Sequence, residues 1–240
     1  MSVMSPPVGR IGESVIRAKG LTAGYAGTPA VMDVDLTVDA GEVVALLGAN
    51  GAGKSTTLLA LAGELAPMGG TVEVLGLGVR RRLDHRARHG LGYLTEGRCV
   101  FMDLTGWENL RLGRGAAKRA IEFFPELEPH LGKKAGLLSG GQQQMLALGR
   151  ILAAEPRLIL ADELSLGLAP IVVRRLLSVL RSAADRGTAV VLVEQHVHQA
   201  LEIADRAYVL HRGRVVMSGS GAELRARADD IAAHYISGEA

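Results

Sequence analysis

The chain has 240 residues, 48% of them hydrophobic, with 27 Lys and Arg set against 25 Asp and Glu. That length and apolar share support one sizeable core with room for a subdomain and exclude a disordered chain. The net charge of +2 gives no reason to expect a nucleic-acid partner.

The N-terminal MSVMSPPVGRIGES lacks the apolar segment of a secretory signal, and residues 1–13 read as a loose leader before a domain over 14–240. Residues 31–39 alternate: Val34, Leu36 and Val38 face one way, the aspartates and Thr37 the other, which predicts a half-buried antiparallel strand. GEVVALLG is apolar on both faces, as in a buried parallel strand. A helix is expected next, with Leu58, Leu61, Ala62 and Leu65 on one stripe. TVEVLG predicts a short strand, and the basic RRRLDHRARH a solvated loop or helix face.

Cys99 is the lone cysteine, so no internal disulfide forms; this fits a reducing compartment, and no cysteine-based motif surrounds it. Residues of about 97–150 read as a helical subdomain broken at Pro125 and Pro129. RLILADE and TAVVLVEQ predict two more buried strands. The helix between them starts near Pro170, buries Val173, Leu176, Leu177 and Leu180, and stops at Gly187. RAYVLHRGRVVMSG predicts a hairpin turning at Arg212-Gly213, and a C-terminal helix closes the chain. No apolar run approaches the roughly 18 residues of a membrane span. Strands alternating with helices predict an α/β fold around a parallel sheet, with a β-rich N-terminal subdomain and an inserted helical one.

Three stretches carry chemistry. Gly48-Ala49-Asn50-Gly51-Ala52-Gly53-Lys54-Ser55, followed by Thr56, fits the phosphate-loop pattern G-x-x-x-x-G-K-[ST] between a strand and a helix. Its glycines let backbone N–H groups turn toward a phosphate, and the helix behind aims its positive end there. Lys54 would reach the β- and γ-phosphates, and the Ser55 hydroxyl would ligate Mg2+. Downstream, the apolar Leu158-Ile159-Leu160-Ala161 ends in Asp162-Glu163. Asp162 is placed to hold hydrated Mg2+ and Glu163 to polarise a water in line with the γ-phosphate. Alone, the pair could be an ordinary acidic strand end.

The third stretch, LLSGGQQQMLALGR, begins a helix at Ser139, Gly140, Gly141 and Gln142, with Met145, Leu148 and Leu152 facing the core. Ser139 and two glycines allow close backbone approach to an anion at a helix N-terminus, but no lysine holds the phosphate. It is half a site.

GANGAGKST, LSGGQQQ and LILADE, in that order, resemble the ATP-binding subunit of an ABC transporter, over about residues 15–236. The resemblance implies ATP and Mg2+ as cofactors and a head-to-tail homo- or heterodimer in which the Ser139 motif caps the γ-phosphate on the other chain. It implies transmembrane permease partners, a place on the cytoplasmic face of the cell membrane, and adenine stacking on Tyr25 of LTAGYAG, which is otherwise a core or surface tyrosine. Within GYLTEGRCVF it places Glu96 where the family usually carries Gln, as a further Mg2+ ligand.

TEGRCVF, SGGQQQMLALGR, SLGLAP and VEQHVHQAL resemble more narrowly the second ATPase subunit of branched-chain (hydrophobic) amino-acid importers, which work with an extracytoplasmic binding protein. Importers of urea or short amides are an alternative, and a non-transport ABC ATPase is another. Three departures stand out. Leu164 replaces the usual Pro, Ala169 replaces the usual Asp, and the strand register puts Gln195 where a switch His is usual, with His196 one residue late. Strand side chains alternate faces, so only one of Gln195 and His196 reaches the phosphate; the expectation is Gln195, the rival His196.

Overall fold

Two long strands begin the computed structural model, which describes residues 11–78, 82–97 and 99–236. In chain order the elements are β1 (Ser14–Tyr25), β2 (Thr28–Asp39), β3 (Val43–Leu47), α1 (Lys54–Ala62), β4 (Gly69–Val74), β5 (Leu77–Gly78), α2 (Leu83–Arg88) and β6 (Leu91–Leu94). There follow α3 (Gly106–Arg111), α4 (Ala117–Phe123), α5 (Gly140–Leu152), β7 (Leu158–Asp162), α6 (Pro170–Asp185), β8 (Ala189–Glu194) and α7 (Val197–Ile203). The hairpin β9 (Arg206–His211) and β10 (Arg214–Ser220), then α8 (Gly221–Arg225) and α9 (Ala228–Ile231), complete the series.

The first sheet, ordered β2-β1-β4-β5, is antiparallel. Val34, Leu36 and Val38 are buried on its inner face while Asp35 and Thr37 are exposed, as the alternation demands. The second sheet runs β10-β9-β3-β8-β7-β6 and is parallel except for β10. Its central strands read as unbroken apolar runs because both faces are covered. On β3, Val43, Ala45 and Leu47 join the core beneath the helices, and Val44 and Leu46 join the core shared with the first sheet. Strand β8 divides the same way, Val190 and Leu192 against Val191 and Val193.

The helices α3 to α5 are inserted between β6 and β7. The chain is therefore an α/β fold with a parallel core, an N-terminal antiparallel sheet and an α-helical insertion. Met145, Leu148 and Leu152 are buried on α5, and Val173, Leu176, Leu177 and Leu180 on α6. The β9–β10 turn falls at Arg212-Gly213, both with positive φ (47° and 79°), a backbone suited to a tight hairpin.

Several local expectations are corrected. Helix α1 ends at Ala62 because Gly63 takes a left-handed C-cap (φ 84°); Leu65 follows the helix and packs partly buried against the core. Pro125 does end α4, as expected, but the break is a 3-10 helix, Pro125–His130, that also contains Pro129. The single C-terminal helix is instead α8, α9 and a π-helical turn over Ala232–Ile236. Of RRRLDHRARH, residues 80 and 81 lie outside the described residues, but Arg86 is fully buried. Its guanidinium bonds the Leu61 carbonyl, and the Ala60 carbonyl at 3.4 Å, at the negative end of α1, and burial pulls its pKa down to about 10.

Candidate nucleotide-binding and hydrolysis site

The phosphate loop, Gly48–Gly53, leaves β3 and enters α1 wedged between the two sheets. Gly53 is required there: its φ is 103°, and a Cβ would lie 2.5 Å from Val31 Cγ1 and 2.9 Å from the Ala30 carbonyl oxygen on β2. The β9–β10 turn braces the other side, Gly213 donating its N–H to the Ala52 carbonyl at 3.0 Å. Gly53 caps α1 with no side-chain hydrogen bond, and the first turn carries no acidic residue. That helix N-terminus is electrostatically suited to an anion.

Lys54 is only 4% exposed, and its ammonium donates to the carbonyls of Gly48 (2.8 Å) and Ala49 (3.0 Å). It lies 3.8 Å from Glu163 Oε1. Burial lowers its pKa, and the carboxylates of Glu163, Asp162 and Glu194 oppose that shift. The Ser55 hydroxyl donates to Asp162 Oδ1 at 3.3 Å, joining the start of α1 to the end of β7. Burial pushes the Asp162 carboxyl up, while the Ser55 hydrogen bond pulls it down. A hydroxyl and a carboxylate side by side are hard oxygen donors that fit Mg2+, which keeps most of its shell for water and phosphate oxygen. Thr56 is buried on the first turn of α1.

Glu163 has a left-handed backbone (φ 48°), its N–H bound to the Val193 carbonyl at 3.0 Å. The Gln195 amide donates to Glu163 Oε1 at 2.9 Å and to Asn50 Oδ1 at 2.7 Å. Gln195 thus ties the strand-end acid to the phosphate loop, whereas His196 is exposed and begins α7. Glu96 is exposed after β6, in a cleft of about 400 Å³ that Glu163, Gln144 and Gly167 also line. Its charge helps to raise the Asp162 pKa. Tyr25 is 54% exposed at the end of β1.

The Ser139 motif stands apart. Ser139 caps α5 in a reciprocal capping box, accepting from Gln142 N–H at 3.3 Å while its own N–H donates to Gln142 Oε1 at 2.9 Å. Among the described residues neither side chain bonds the phosphate loop. Gly141 has a packing reason for being Gly: a Cβ there would lie 2.9 Å from Val172 Cγ1 on α6. Gly140 and Ser139, at the open end of the helix, keep the access an anion needs. Two contacts escaped the sequence reading, Asn50 with Gln195 and Ser165 with Glu194. The available signal for the second was a Glu ending a wholly apolar strand.

A glycine-rich phosphate loop feeding a helix, beside a parallel strand that ends in two acids, defines a P-loop nucleotide-hydrolysing cassette. The ABC transporter family profile matches residues 31–165. The chain is 42% identical to the high-affinity branched-chain amino acid transport ATP-binding protein BraG of Pseudomonas aeruginosa, over 83% of this chain and 90% of BraG. It is 33% identical to the lipopolysaccharide export system ATP-binding protein LptB of Escherichia coli K12, over 88% and 92% of the two chains. A dimeric ATP-binding cassette solved in a post-hydrolysis state with ADP and Pi superposes with a TM-score of 0.75 at 28% identity, covering 85% of this chain and 98% of that one. The chain belongs to the ABC transporter family, as an ATP-binding and ATP-hydrolysing subunit.

Proposed function

We propose that this ATPase powers an importer of branched-chain or other hydrophobic amino acids. The similarity to BraG, 42% over nine-tenths of its length, carries the reading, against 33% for the lipopolysaccharide exporter subunit. The segments SLGLAP and VEQHVHQAL point the same way. The chain would act from the cytoplasmic face of the membrane, and no helix among the described residues is long and apolar enough to cross it. Permease subunits, served by an extracytoplasmic binding protein, would carry the solute.

In this reading the functional unit spans 14–240, with a helical subdomain near 97–150 that presents the signature motif. Two such subunits pack head to tail, because Ser139, Gly140, Gly141 and Gln142 form a helix N-terminus that has no lysine and, among the described residues, no side-chain hydrogen bond to their own phosphate loop. The backbone of residues 48–53 cradles the phosphates of ATP, Lys54 and Thr56 lie beside them, and Tyr25 stacks on the adenine. Ser55 and Asp162, with Glu96 nearby, would hold Mg2+, which neutralises phosphate charge when bound. Glu163 orients the attacking water, and Gln195 donates a hydrogen bond at the γ-phosphate. The rate then comes from positioning and fixed charge.

The deciding experiment is uptake of labelled leucine by cells deleted for this chain and complemented with the unaltered or the Glu163→Gln form. Uptake restored by the first and not the second is expected. Uptake indifferent to the deletion, with loss of urea or amide import or of surface lipopolysaccharide, would assign the ATPase to another cargo.

A further inference from the structure

The strained acid at the end of β7 is pinned on both sides. Strands β7 and β8 are parallel neighbours, with Asp162 opposite Val193. The chain leaves β7 through Glu163, whose left-handed backbone is unfavourable for a residue with a side chain and must be imposed by its surroundings. Upstream of Leu164, the Glu163 N–H is held by the Val193 carbonyl at 3.0 Å. Downstream of it, Ser165 is held by the next residue of β8: its N–H donates to Glu194 Oε1 at 3.0 Å and its hydroxyl to Glu194 Oε2 at 2.6 Å. Glu194 is 2% exposed and Ser165 6%.

The two oxygens of a buried carboxylate are therefore engaged by one residue, two positions beyond the acid that orients water. The residue between them is Leu164, 1% exposed. Leu164 itself is apolar and buried, so the restraint on this turn comes from the Val193 carbonyl and the Glu194 carboxylate. The residue after Glu194 is Gln195, which itself bonds Glu163 and Asn50. The carboxylate thus sits at the junction of two loops that both face the γ-phosphate. It is placed to fix them relative to each other and has no need to touch the nucleotide.

We propose that Glu194 is a positioning residue for ATP hydrolysis: by clamping Ser165 it holds the Glu163 backbone in its left-handed conformation and sets Glu163 against Gln195. The proposal rests on the reading of Glu163 and Gln195 as the residues that act on the water and the γ-phosphate.

The test uses the full chain and three variants, Ser165→Ala, Glu194→Ala and Glu194→Gln. Steady-state ATP hydrolysis is compared with the affinity for a fluorescent ATP analogue and with the thermal midpoint. Ser165→Ala and Glu194→Ala are expected to lose about ten- to a hundredfold in kcat, as small misplacements of reacting groups do. Nucleotide affinity should change far less than kcat, because among the described residues neither side chain hydrogen-bonds the phosphate loop. Glu194→Gln should recover most of the loss, since its carbonyl can accept the Ser165 N–H and its amide can donate to the Ser165 hydroxyl. The double variant Ser165→Ala/Glu194→Ala should be no slower than Glu194→Ala alone, because both break one contact.

Unaltered kcat in Ser165→Ala overturns the proposal. So does a parallel fall of kcat, affinity and thermal midpoint, which marks a merely structural contact. Where Glu194→Ala does not fold, Ser165→Ala and Glu194→Gln decide. Glu163→Gln is measured alongside: if it hydrolyses at the unaltered rate, the reading of the site fails, whereas a slow Glu163→Gln beside a fast Ser165→Ala sinks the clamp alone.

Discussion

Gln195 donates its amide to Glu163 Oε1 at 2.9 Å, while the same nitrogen lies 2.7 Å from Asn50 Oδ1 in the phosphate loop. A neutral amide therefore stands where the strand end meets both the acid and the loop, and His196 is turned to solvent. An amide can donate a hydrogen bond to phosphate but carries no charge near neutral pH. We expect Gln195→Ala to slow ATP hydrolysis by roughly ten- to a thousandfold, the range for loss of one preorganised donor. His196→Ala should have a far smaller effect. ATPase rates of both variants check this, and a large loss at His196 with little change at Gln195 would reverse the register.

Lys54 is a buried ammonium whose resting partners are two carbonyls of its own loop. ATP offers it stronger, charged acceptors. Lys54→Ala should weaken ATP binding by about ten- to a hundredfold, the value of a charge-assisted hydrogen bond. A binding titration reads it directly. Tight binding retained by the variant would remove Lys54 from the phosphate site.

Legibility in the sequence followed locality. The phosphate loop, Asp162-Glu163 and the Ser139 motif are contiguous stretches whose residue types declare their chemistry. Strands β3, β7 and β8 were visible because burial on both faces makes them uniformly apolar. Strand β1 was hidden by shifts in its register with β2, around Leu21, Ala23 and Gly24, which break the period of two. Strand β6, LGYL, is four residues at the sheet edge and too short to show a pattern. Arg86 looked like part of a solvated basic run because its partners, the carbonyls ending α1, lie 25 and 26 residues upstream. Glu194 and Ser165 are 29 residues apart, and only the pairing of β7 with β8 brings them together.

Glu163 is the acid nearest Lys54, at 3.8 Å, and shares its carboxylate with Gln195. Glu163→Gln keeps an acceptor for the Gln195 amide and removes the charge that, in the proposed reading, polarises water. The variant should bind ATP normally, hydrolyse it slowly and accumulate as a nucleotide-bound dimer. Sizing chromatography with ATP checks the dimer. Monomer only, in the presence of any required partner subunit, would contradict the head-to-tail arrangement.

Ser139 caps α5 through Gln142 and, among the described residues, bonds nothing in its own phosphate loop, so its loss should separate binding from hydrolysis. Ser139→Arg places a long cation where the other chain's γ-phosphate would dock and gives up a cap worth about 1 kcal/mol of helix stability. The variant should bind ATP as the unaltered chain does and lose most of its hydrolysis. Mixed with Lys54→Ala subunits, it should regain some activity, because the hybrid dimer gathers both lesions in one site and leaves the other intact. Full hydrolysis by Ser139→Arg alone would show that the motif caps nothing.

Burial of Glu194 raises its pKa above the ordinary carboxylate value, even though the Ser165 hydroxyl and N–H pull it down. The unfolded chain has no such burial, so between the two pKa values the folded state binds more protons. Stability contributed by this group is then greatest below the ordinary carboxylate range and declines as pH rises through the folded pKa. Glu194→Gln removes the titration and keeps the shape and the bonds to Ser165. Denaturant unfolding of both proteins at pH 5 and pH 8 should show the variant at least as stable at the higher pH, with a shallower decline between the two. A variant that loses stability specifically at pH 8 would mean that the buried carboxylate is held in its charged form by Ser165 and Lys54 more strongly than burial opposes it.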